Sequence, residues 1–589
     1  MGGTGTGHSG ERPHSMAPCG ERSISCFRAR GATPVRGCLP STRHSGKALS
    51  GRLRCRPFPR DRHPPRSHRT RQEIGNDRQR IRDGYGAHAQ RAWPGIGFTL
   101  PSRPLCRRTG IPRSLPYGYA ALHSLVSKER LPMTAIICAL LGGVLFFFSV
   151  ELNTIWPLMW IAQVPLLWLA YGPARAWHVF AASFTAYAIG QLNLFEAYWQ
   201  MAPEFSIVIA ITAAIYAATM LFARAAQRRL PATAAVLGFP LLWTSVEYLN
   251  ARISAYGSFG AFAYSQVPAP VFIQSASLIG LWSVSFLICA VASASALLLR
   301  EGRRATVPAI VVAVLFVANL AFGLARLAAP STETVLVAAI GNGETNLPST
   351  EAAARRVSQD YVKAITVLAA QEIHTIVLPE EIAELKPEWR NAIDGFSSTA
   401  EATGSRIVVG YREVAETPRN IAFTFSRDGT ARYTKRHLIP GLEPLSPGLS
   451  PGFLGAGRAV AICKDMDFED TIRRDARLGI RILFVPAWDF GRDREAHANI
   501  AIMRGVENGF AMVRAARNGL LTITDAQGRV TARATADSSE LTTIVGSVPE
   551  GPGPTLYTRI GDVFAWACTA GALVLAAWIF SRSRGRPHR

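Results

Sequence analysis

Long apolar stretches dominate the chain between residues 133 and 327. Each is close to the roughly 20 residues that an α-helix needs to cross the hydrocarbon core of a bilayer. None shows the regular polar face that a helix of a soluble domain would carry. We therefore predict seven membrane spans here and an eighth near the C-terminus. The predicted spans are 133–151, 155–171, 177–195, 206–223, 232–250, 270–299, 306–327 and 563–580.

The charges of the short loops predict how these spans are oriented. Lys and Arg cluster in alternate loops and in the C-terminal tail, whereas two of the intervening loops carry Glu and the loop 250–269 has Arg252 as its one charged residue. Positively charged loops tend to stay on the cytoplasmic side. The start of span 1 and the tail are therefore expected inside the cell, and the segment between spans seven and eight is expected outside it.

That segment, about 328–560, has a different pattern, in which β-rich runs alternate with amphipathic ones. Gly429 and Gly528 each lie in a turn between two such runs, which indicates β-hairpins. Strands alternating with helices, together with hairpins, are typical of an α/β sandwich. The predicted strands are 334–340, 375–378, 406–411, 421–425, 431–434, 480–486 and 510–515, and the predicted helices are 350–371, 387–403 and 494–508.

Composition changes the picture at the N-terminus. Residues 1–132 hold 25 of the 64 Lys and Arg but only 7 of the 41 Asp and Glu, so most of the net charge of +23 lies there. The stretch has no apolar periodicity and cannot bury enough surface to offset its chain entropy. We predict a disordered basic extension, with Met133 as an alternative start of the translated protein. Nucleic-acid binding is not expected of the remaining chain.

Candidate chemistry centres on Cys463, which ends a β-branched run and precedes a polar turn. Such an elbow can expose a nucleophile, although a free Cys is also a common core residue. A catalytic thiol needs a base and an oxyanion stabiliser, and Glu380 and Lys435 follow two other predicted strands. His437 lacks a residue placed to orient it, so a loop role is favoured. Spacing alone leaves core and catalytic readings open.

The motifs around these residues carry a resemblance. Leu378-Pro379-Glu380, the run Tyr433-Thr434-Lys435-Arg436-His437-Leu438-Ile439-Pro440 and Ala461-Ile462-Cys463 resemble the nitrilase (carbon–nitrogen hydrolase) superfamily with its Glu-Lys-Cys triad. Together with the membrane spans, residues 133–580 resemble the apolipoprotein N-acyltransferase family. The resemblance implies an αββα sandwich attached to a polytopic membrane domain. The implied domains are 1–132 (extension), 133–327 (seven spans), 328–560 (catalytic domain) and 561–589 (last span and tail).

The resemblance also implies a role for each site residue. Glu380 would be the general base toward Cys463, and Lys435 would stabilise the tetrahedral oxyanion. Glu443 would orient the triad, and the backbone N–H of Lys464 would complete the oxyanion hole.

The implied reaction moves an acyl group from a phospholipid donor to an amine acceptor, in the family the N-terminal cysteine of an apolipoprotein, through a Cys thioester. No metal or nucleotide cofactor is implied. The protein would lie in a bacterial inner membrane, with its catalytic domain on the periplasmic side. Arg436 or Arg504 would either meet a lipid headgroup or serve the structure.

Two departures from the family keep alternatives open. The family generally has an aromatic residue and a Glu after its cysteine, where this chain has Lys464 and Asp465. The loop 486–491 is closer to soluble amidases of the superfamily. A divergent paralogue that serves plasmid conjugal transfer, like the TraB proteins, and a membrane-tethered amidase that uses water are the alternatives.

Overall fold

The computed structural model describes residues 117–199, 202–330 and 333–584. Most of the predicted extension, up to residue 116, lies outside these residues. The first helix begins at Tyr117 and runs through Pro132 to Phe147. It therefore starts upstream of residue 133, where we expected span 1 to begin.

The N-terminal half of the described chain is helical. Its helices are α1 (Tyr117–Phe147), α2 (Met159–Ala162), α3 (Val164–Ala170), α4 (Ala176–Gly190), α5 (Leu194–Ala197), α6 (Ala202–Arg229), α7 (Ala232–Ala235), α8 (Gly238–Ile253), α9 (Ala276–Ile279), α10 (Trp282–Glu301) and α11 (Thr306–Leu327). Their shared core is rich in Ala and aromatic rings, such as Tyr216 and Trp243, which meet edge to face at 5.0 Å.

Four helical segments in the described chain are long and apolar enough to cross a membrane. They are Phe205–Arg229, Ala232–Ile253, Trp282–Leu327 and Val563–Arg582, and shorter apolar segments are Pro132–Phe147, Trp156–Ala170 and Pro270–Ile279. The 46-residue segment contains α10 and α11, which a 3₁₀ turn at Gly302–Ala305 separates.

Four predicted spans are broken in the structure, of which 177–195 is divided between α4 and α5 and 232–250 between α7 and α8. The span 155–171 is divided into a 3₁₀ turn, α2 and α3, and the span 270–299 has its long helix only from Trp282. The break in the span 270–299 falls at Gly280, which has a φ of +83°. A Cβ there would lie 2.7 Å from the Tyr557 ring, so Gly280 is needed for both its conformation and the close packing.

The C-terminal half is built on two sheets. The strands are β1 (Thr334–Gly341), β2 (Thr375–Val377), β3 (Glu384–Leu385), β4 (Arg406–Glu413), β5 (Arg419–Ser426), β6 (Gly429–Thr434), β7 (Phe453–Gly455), β8 (Arg458–Val460), β9 (Ile482–Trp488), β10 (Ala511–Arg517), β11 (Gly519–Thr524), β12 (Val530–Ala536) and β13 (Thr542–Pro549). The first sheet has the order β13-β1-β2-β4-β5-β6, with β3 beside β4, and the second has the order β12-β11-β10-β9-β8-β7. Both mix parallel and antiparallel pairs.

The remaining helices of the described chain lie in its C-terminal half. They are α12 (Glu351–Ala369), α13 (Asp394–Thr403), α14 (Glu469–Ala476), α15 (Arg494–Asn508), α16 (Leu556–Ile560) and α17 (Val563–Arg584). One apolar core lies between the sheets, and a second lies between the first sheet and α12 and α13. A third core joins the second sheet and α15 to the N-terminal helices. The layers are those of the predicted αββα sandwich.

The strand pairs explain how the sandwich is connected to the apolar helices. β1 follows α11, and β13 precedes α16 and α17. The two strands pair antiparallel over their whole length, from Thr334 opposite Pro549 to Gly341 opposite Thr542. The sandwich therefore leaves and rejoins the helical part at the same end of one strand pair.

Candidate active site

Glu380, Lys435 and Cys463 each lie just beyond the end of a strand. Glu380 follows β2, Lys435 follows β6, and Cys463 follows β8. All three are at most 7% exposed. The structure thus brings the predicted residues from three strands to one edge of the sandwich.

Glu380 lies in a turn that packs directly on β4. The backbone N–H of Gly410 donates to Pro379 O, and the N–H of Ile382 donates to Gly410 O. A Cβ on Gly410 would lie 2.6 Å from Glu380 Cα. Glycine is therefore required for the turn to approach the strand this closely.

The ammonium group of Lys435 lies between two carboxylates. Its Nζ is 2.8 Å from Glu380 Oε1 and 2.8 and 2.9 Å from the two oxygens of Glu443. Lys435 is 1% exposed. A charge this deeply buried needs such partners, so Glu443 is in direct contact with the candidate triad.

Asn420, on β5, was not identified from the sequence. Its Nδ2 donates to Glu380 Oε1 at 2.6 Å and to Glu443 Oε1 at 3.0 Å. It is fully buried. The available signal was a carboxamide near the start of a strand, where a buried polar side chain needs partners.

The two carboxylates that share this ammonium have pKa values that are shifted in opposite directions. Burial raises the pKa of Glu380 to about 7, although Lys435 opposes the shift. Burial also acts to raise the pKa of Glu443, but Lys435 and other donors outweigh it and lower the pKa. Burial alone would lower the pKa of Lys435, yet the carboxylates raise it well above its usual value. Near neutral pH, Lys435 and Glu443 are therefore charged, and Glu380 can exchange a proton.

Cys463 lies at a strained elbow. Its φ is +41°, a left-handed conformation that residues other than glycine rarely adopt. Its Sγ is 3.6 Å from Trp488 O, the carbonyl at the end of β9. Burial and the charge of Glu380 raise the pKa of the thiol well above its usual value, and Lys435 opposes this shift. The resting group is a thiol whose proton needs a nearby acceptor.

Asp465 ties this elbow to the strand end that carries Lys435. Its carboxylate accepts hydrogen bonds from Ile462 N, Tyr433 Oη, Arg436 N and His437 N, at 2.6–3.1 Å. The side chain is fully buried. One carboxylate thereby holds the Cys463 and Lys435 segments in register.

Three basic side chains considered in the sequence have structural partners. Arg436 forms an ion pair with Asp475, and Arg504, which is fully buried, forms one with Glu507. His437 stacks on Phe468 with a centroid separation of 3.6 Å. Both arginines therefore have an acidic partner in the C-terminal half of the chain.

A cavity of about 380 Å³ reaches the thiol. Residues of α4, α6 and α8 line it with mainly apolar side chains, and Lys464, Asp467 and His497 line it together with Cys463. Its volume is within the range of small-molecule and cofactor sites. The cavity therefore connects apolar helices with the candidate nucleophile.

Across the described ranges, no group of three or more His, Cys, Asp and Glu side chains is arranged to hold a metal ion. Glu381, the acidic neighbour of Glu380, forms an ion pair with Arg412. It does not share the ammonium of Lys435.

The chain is similar to two protein families in succession. Residues 142–294 match the apolipoprotein N-acyltransferase N-terminal domain, and residues 339–550 match the carbon–nitrogen hydrolase family.

Several proteins named apolipoprotein N-acyltransferase are similar to it over most of its length. That of Geobacter metallireducens is 29% identical over 522 residues, which cover 77% of this chain and 97% of the relative. Those of Rhodopseudomonas palustris and Haemophilus influenzae are 25% and 24% identical, and each match covers 74% of this chain and 94% of the relative. These similarities lend no support to the conjugal-transfer alternative.

Among solved structures, an amidase of the nitrilase superfamily from Nesterenkonia is similar to this chain. It is 17% identical, and the match covers 41% of this chain and 98% of the amidase, with a TM-score of 0.34.

Proposed function

Because residues 339–550 match the carbon–nitrogen hydrolase family and the chain is similar over most of its length to apolipoprotein N-acyltransferases, we propose that it is a membrane-bound N-acyltransferase of the nitrilase superfamily. The donor is a phospholipid, and the acceptor is the N-terminal amine of a lipoprotein. The observation that carries the proposal is the cavity that runs from the apolar helices to Cys463.

In the first half-reaction, Sγ of Cys463 attacks the carbonyl carbon of a phospholipid ester while Glu380 takes the thiol proton. The ammonium of Lys435 and the backbone N–H of Lys464 stabilise the oxyanion. The tetrahedral intermediate collapses to a thioester, and the lysophospholipid oxygen leaves with the proton returned by Glu380.

In the second half-reaction, the acceptor amine attacks the thioester. Glu380 takes a proton from the attacking nitrogen, the C–S bond breaks, and the thiol is regenerated as an amide forms. The pKa of Glu380, raised to about 7 by burial, suits both transfers at neutral pH. Glu443 and Asn420 keep the ammonium and Glu380 aligned.

The proposed membrane topology is the one that the charges of the loops predict. Spans within 133–327 form the membrane domain, 328–560 forms a periplasmic catalytic domain, and α17 returns the tail to the cytoplasm, for eight crossings in all. In this arrangement, α6 and α8 present the cavity to the outer part of the bilayer. An acyl chain then reaches Cys463 without passing through water.

The proposal is tested by measuring the transfer of a labelled acyl group to the enzyme and then to an acceptor. Purified protein is incubated with phospholipid that carries a labelled acyl chain, and the acyl-enzyme is detected as a hydroxylamine-sensitive adduct. We expect an adduct with the native chain and none with Cys463→Ala. A diacylated acceptor peptide should discharge the adduct and take up the label.

Two results would contradict the proposal. If the native chain forms no adduct while iodoacetamide still labels Cys463, acyl transfer from phospholipid is wrong. If an adduct forms but only water discharges it, the protein is a hydrolase and the acceptor assignment fails. Cys289→Ala, at a buried position on α10, serves as the control for loss of a thiol elsewhere.

A further inference from the structure

A buried cation lines the cavity beside Cys463. Lys464 directly follows Cys463 and is 4% exposed. Among the described residues that line the cavity, it is the one Lys or Arg. A buried ammonium at the wall of a mainly apolar cavity carries a desolvation cost that ordinary packing does not require.

The contacts of Lys464 do not use its hydrogen-bonding capacity well. Its Nζ is 3.5 Å from Asp467 Oδ2, which is longer than the 2.7–3.2 Å of ordinary N–H···O hydrogen bonds. It also lies 4.5 Å from the ring centroid of Tyr256 and 5.7 Å from that of Phe468. These rings attract a cation but accept no strong hydrogen bond. An ammonium has three N–H donors, so a ligand oxygen can be accommodated.

Neighbouring charges keep the ammonium in place without a ligand. Asp467 lies between Lys464 and His497, whose Nδ1 is 4.0 Å from Asp467 Oδ1. His497 also contacts Asp493 at 3.0 Å, and Asp493 accepts further bonds from Tyr198 and Phe490 N. Burial would lower the pKa of His497, but Asp493 outweighs it and raises the pKa to about 9. The positive charges of Lys464 and His497 are therefore balanced by the negative charges of Asp467 and Asp493. Asp467, the acid beside Lys464, is also shared with His497.

The proposed donor carries a phosphate anion close to the ester that Cys463 attacks. In a glycerophospholipid, either acyl ester is separated from the carbon that bears the phosphate by at most one other glycerol carbon. When the ester carbonyl meets Sγ of Cys463, the phosphate is therefore only a few bonds away from the reacting carbon. The residue next to the nucleophile is within reach of it.

We propose that the Lys464 side chain binds the phosphate diester of the acyl donor and makes the enzyme selective for phospholipids over uncharged diacylglycerol lipids. The bond is a charge-assisted hydrogen bond to a non-bridging oxygen. This inference rests on the proposed function, because it assigns a headgroup contact within the same first half-reaction.

The experiment compares donors within each protein. The kcat/KM of thioester formation is measured with phosphatidylglycerol, phosphatidylethanolamine and a galactosyl diacylglycerol that has the same acyl chains. The ratio of phospholipid to galactolipid is determined for the native chain and for Lys464→Met, which retains the length of the side chain. We expect this ratio to fall at least tenfold, mainly through KM, and Lys464→Arg to restore most of it.

Lys386→Met is the matched control, because Lys386 also lies over an aromatic ring, at 4.8 Å from Trp389, but outside the cavity. It should leave the ratio at the native value. An unchanged ratio in Lys464→Met would overturn the inference while leaving acyl transfer intact. Absence of any adduct in the native chain would instead contradict the proposed function.

Inhibition by inorganic phosphate tests whether the ligand of Lys464 is a lipid headgroup or a free anion. If millimolar phosphate inhibits the native chain but Lys464→Met keeps the native selectivity among lipids, the site binds free phosphate and the headgroup assignment is wrong. If phosphate inhibits weakly and the selectivity falls as expected, the lipid phosphate is the ligand.

Discussion

At the scale of single residues, two carboxylates share one ammonium group. Glu380 and Glu443 both contact the ammonium of Lys435, so one negative charge remains in excess when all three groups are ionised. Glu443 also accepts a bond from Ile439 N, at 2.7 Å. Since Glu443 has more donors, its ionised form is the better stabilised, and Glu380 is left as the group that titrates near neutral pH.

This division predicts a pH dependence. The pKa of Glu380 is raised to about 7, so Glu380 holds its proton at pH 6 and is ionised at pH 8. As the base for the thiol, it must be ionised, and the rate of thioester formation should rise with pH through about 7. In Glu443→Gln, a negative charge that raises the pKa of Glu380 is lost. The acid limb should then move to lower pH, with a maximal rate at least tenfold lower because Lys435 is held less firmly.

The measurement is single-turnover thioester formation from pH 5 to 9. Glu388→Gln, at an exposed position in the same domain, should reproduce the native profile. If the acid limb of Glu443→Gln stays at the native pH, a group other than Glu380 controls the rate.

At the scale of elements, the site depends on how closely the Glu380 turn approaches β4. In Gly410→Ala, the new Cβ would lie 2.6 Å from Glu380 Cα and 2.7 Å from Pro379 O. Both are backbone atoms, so the turn must move. We expect a loss of about 1–3 kcal/mol in the free energy of unfolding and a clear fall in the rate, because the Glu380 carboxylate moves away from Lys435.

The control is another glycine in the same domain. In Gly395→Ala on α13, the nearest atom would be Val362 Cγ2 at 3.4 Å, an ordinary contact. Alanine is the better helix former, so the free energy of unfolding should stay level or increase slightly. Urea unfolding followed by tryptophan fluorescence compares the two variants, and equal behaviour would show that the turn tolerates a side chain at Gly410.

The elements of the sandwich were predictable because their patterns are local. The strand 334–340 is observed as β1, and the helix 494–508 is observed as α15 with the same limits. The helix predicted over 387–403 was wrong as a single element. It is a 3₁₀ segment, Pro387–Ala392, followed by α13, and Trp389 within the first part has a non-helical backbone.

The site was predictable only in part, for physical reasons. Glu380, Lys435 and Cys463 each follow a strand, and the resemblance assigned them roles. The resemblance also pointed to Glu443 in a loop without regular structure. Nothing local indicated that Asn420 bridges two carboxylates or that Asp465 accepts bonds from two segments. Such contacts arise from the packing of elements far apart in sequence.

At the scale of the whole molecule, a cluster of charges joins the helical part to the sandwich. Arg252, near the end of α8, forms ion pairs with Glu469 and Asp470 of α14 at 3.4 Å and with Asp562 at 2.5 Å, just before α17. Asp562 also accepts bonds from Trp282 on α10 and from Tyr557. One arginine therefore connects α8, the helix after the Cys463 elbow, and the last apolar helix.

Replacing Arg252 should weaken this connection in a pH-dependent way. In Arg252→Met, the buried acids Glu469 and Asp562 lose their closest shared cation, and breaking such a pair costs about 3–5 kcal/mol when the remaining charge is fully buried. Burial raises the pKa of Glu469 to about 7, above its unfolded value. A raised pKa means that ionisation of Glu469 opposes folding, so stability falls as pH rises from the unfolded to the folded pKa.

Without Arg252, the pKa of Glu469 rises further, and the destabilisation relative to the native chain should be larger at pH 8 than at pH 6. Thermal unfolding in detergent at both pH values measures the difference. Arg355→Met removes an ion pair with Glu351 whose side chains are 45% and 44% exposed, and such exposed pairs contribute about 0–1 kcal/mol. It should therefore have little effect at either pH. An equal loss of stability at pH 6 and pH 8 in Arg252→Met would mean that lost packing, rather than the unpaired charge of Glu469, causes the effect.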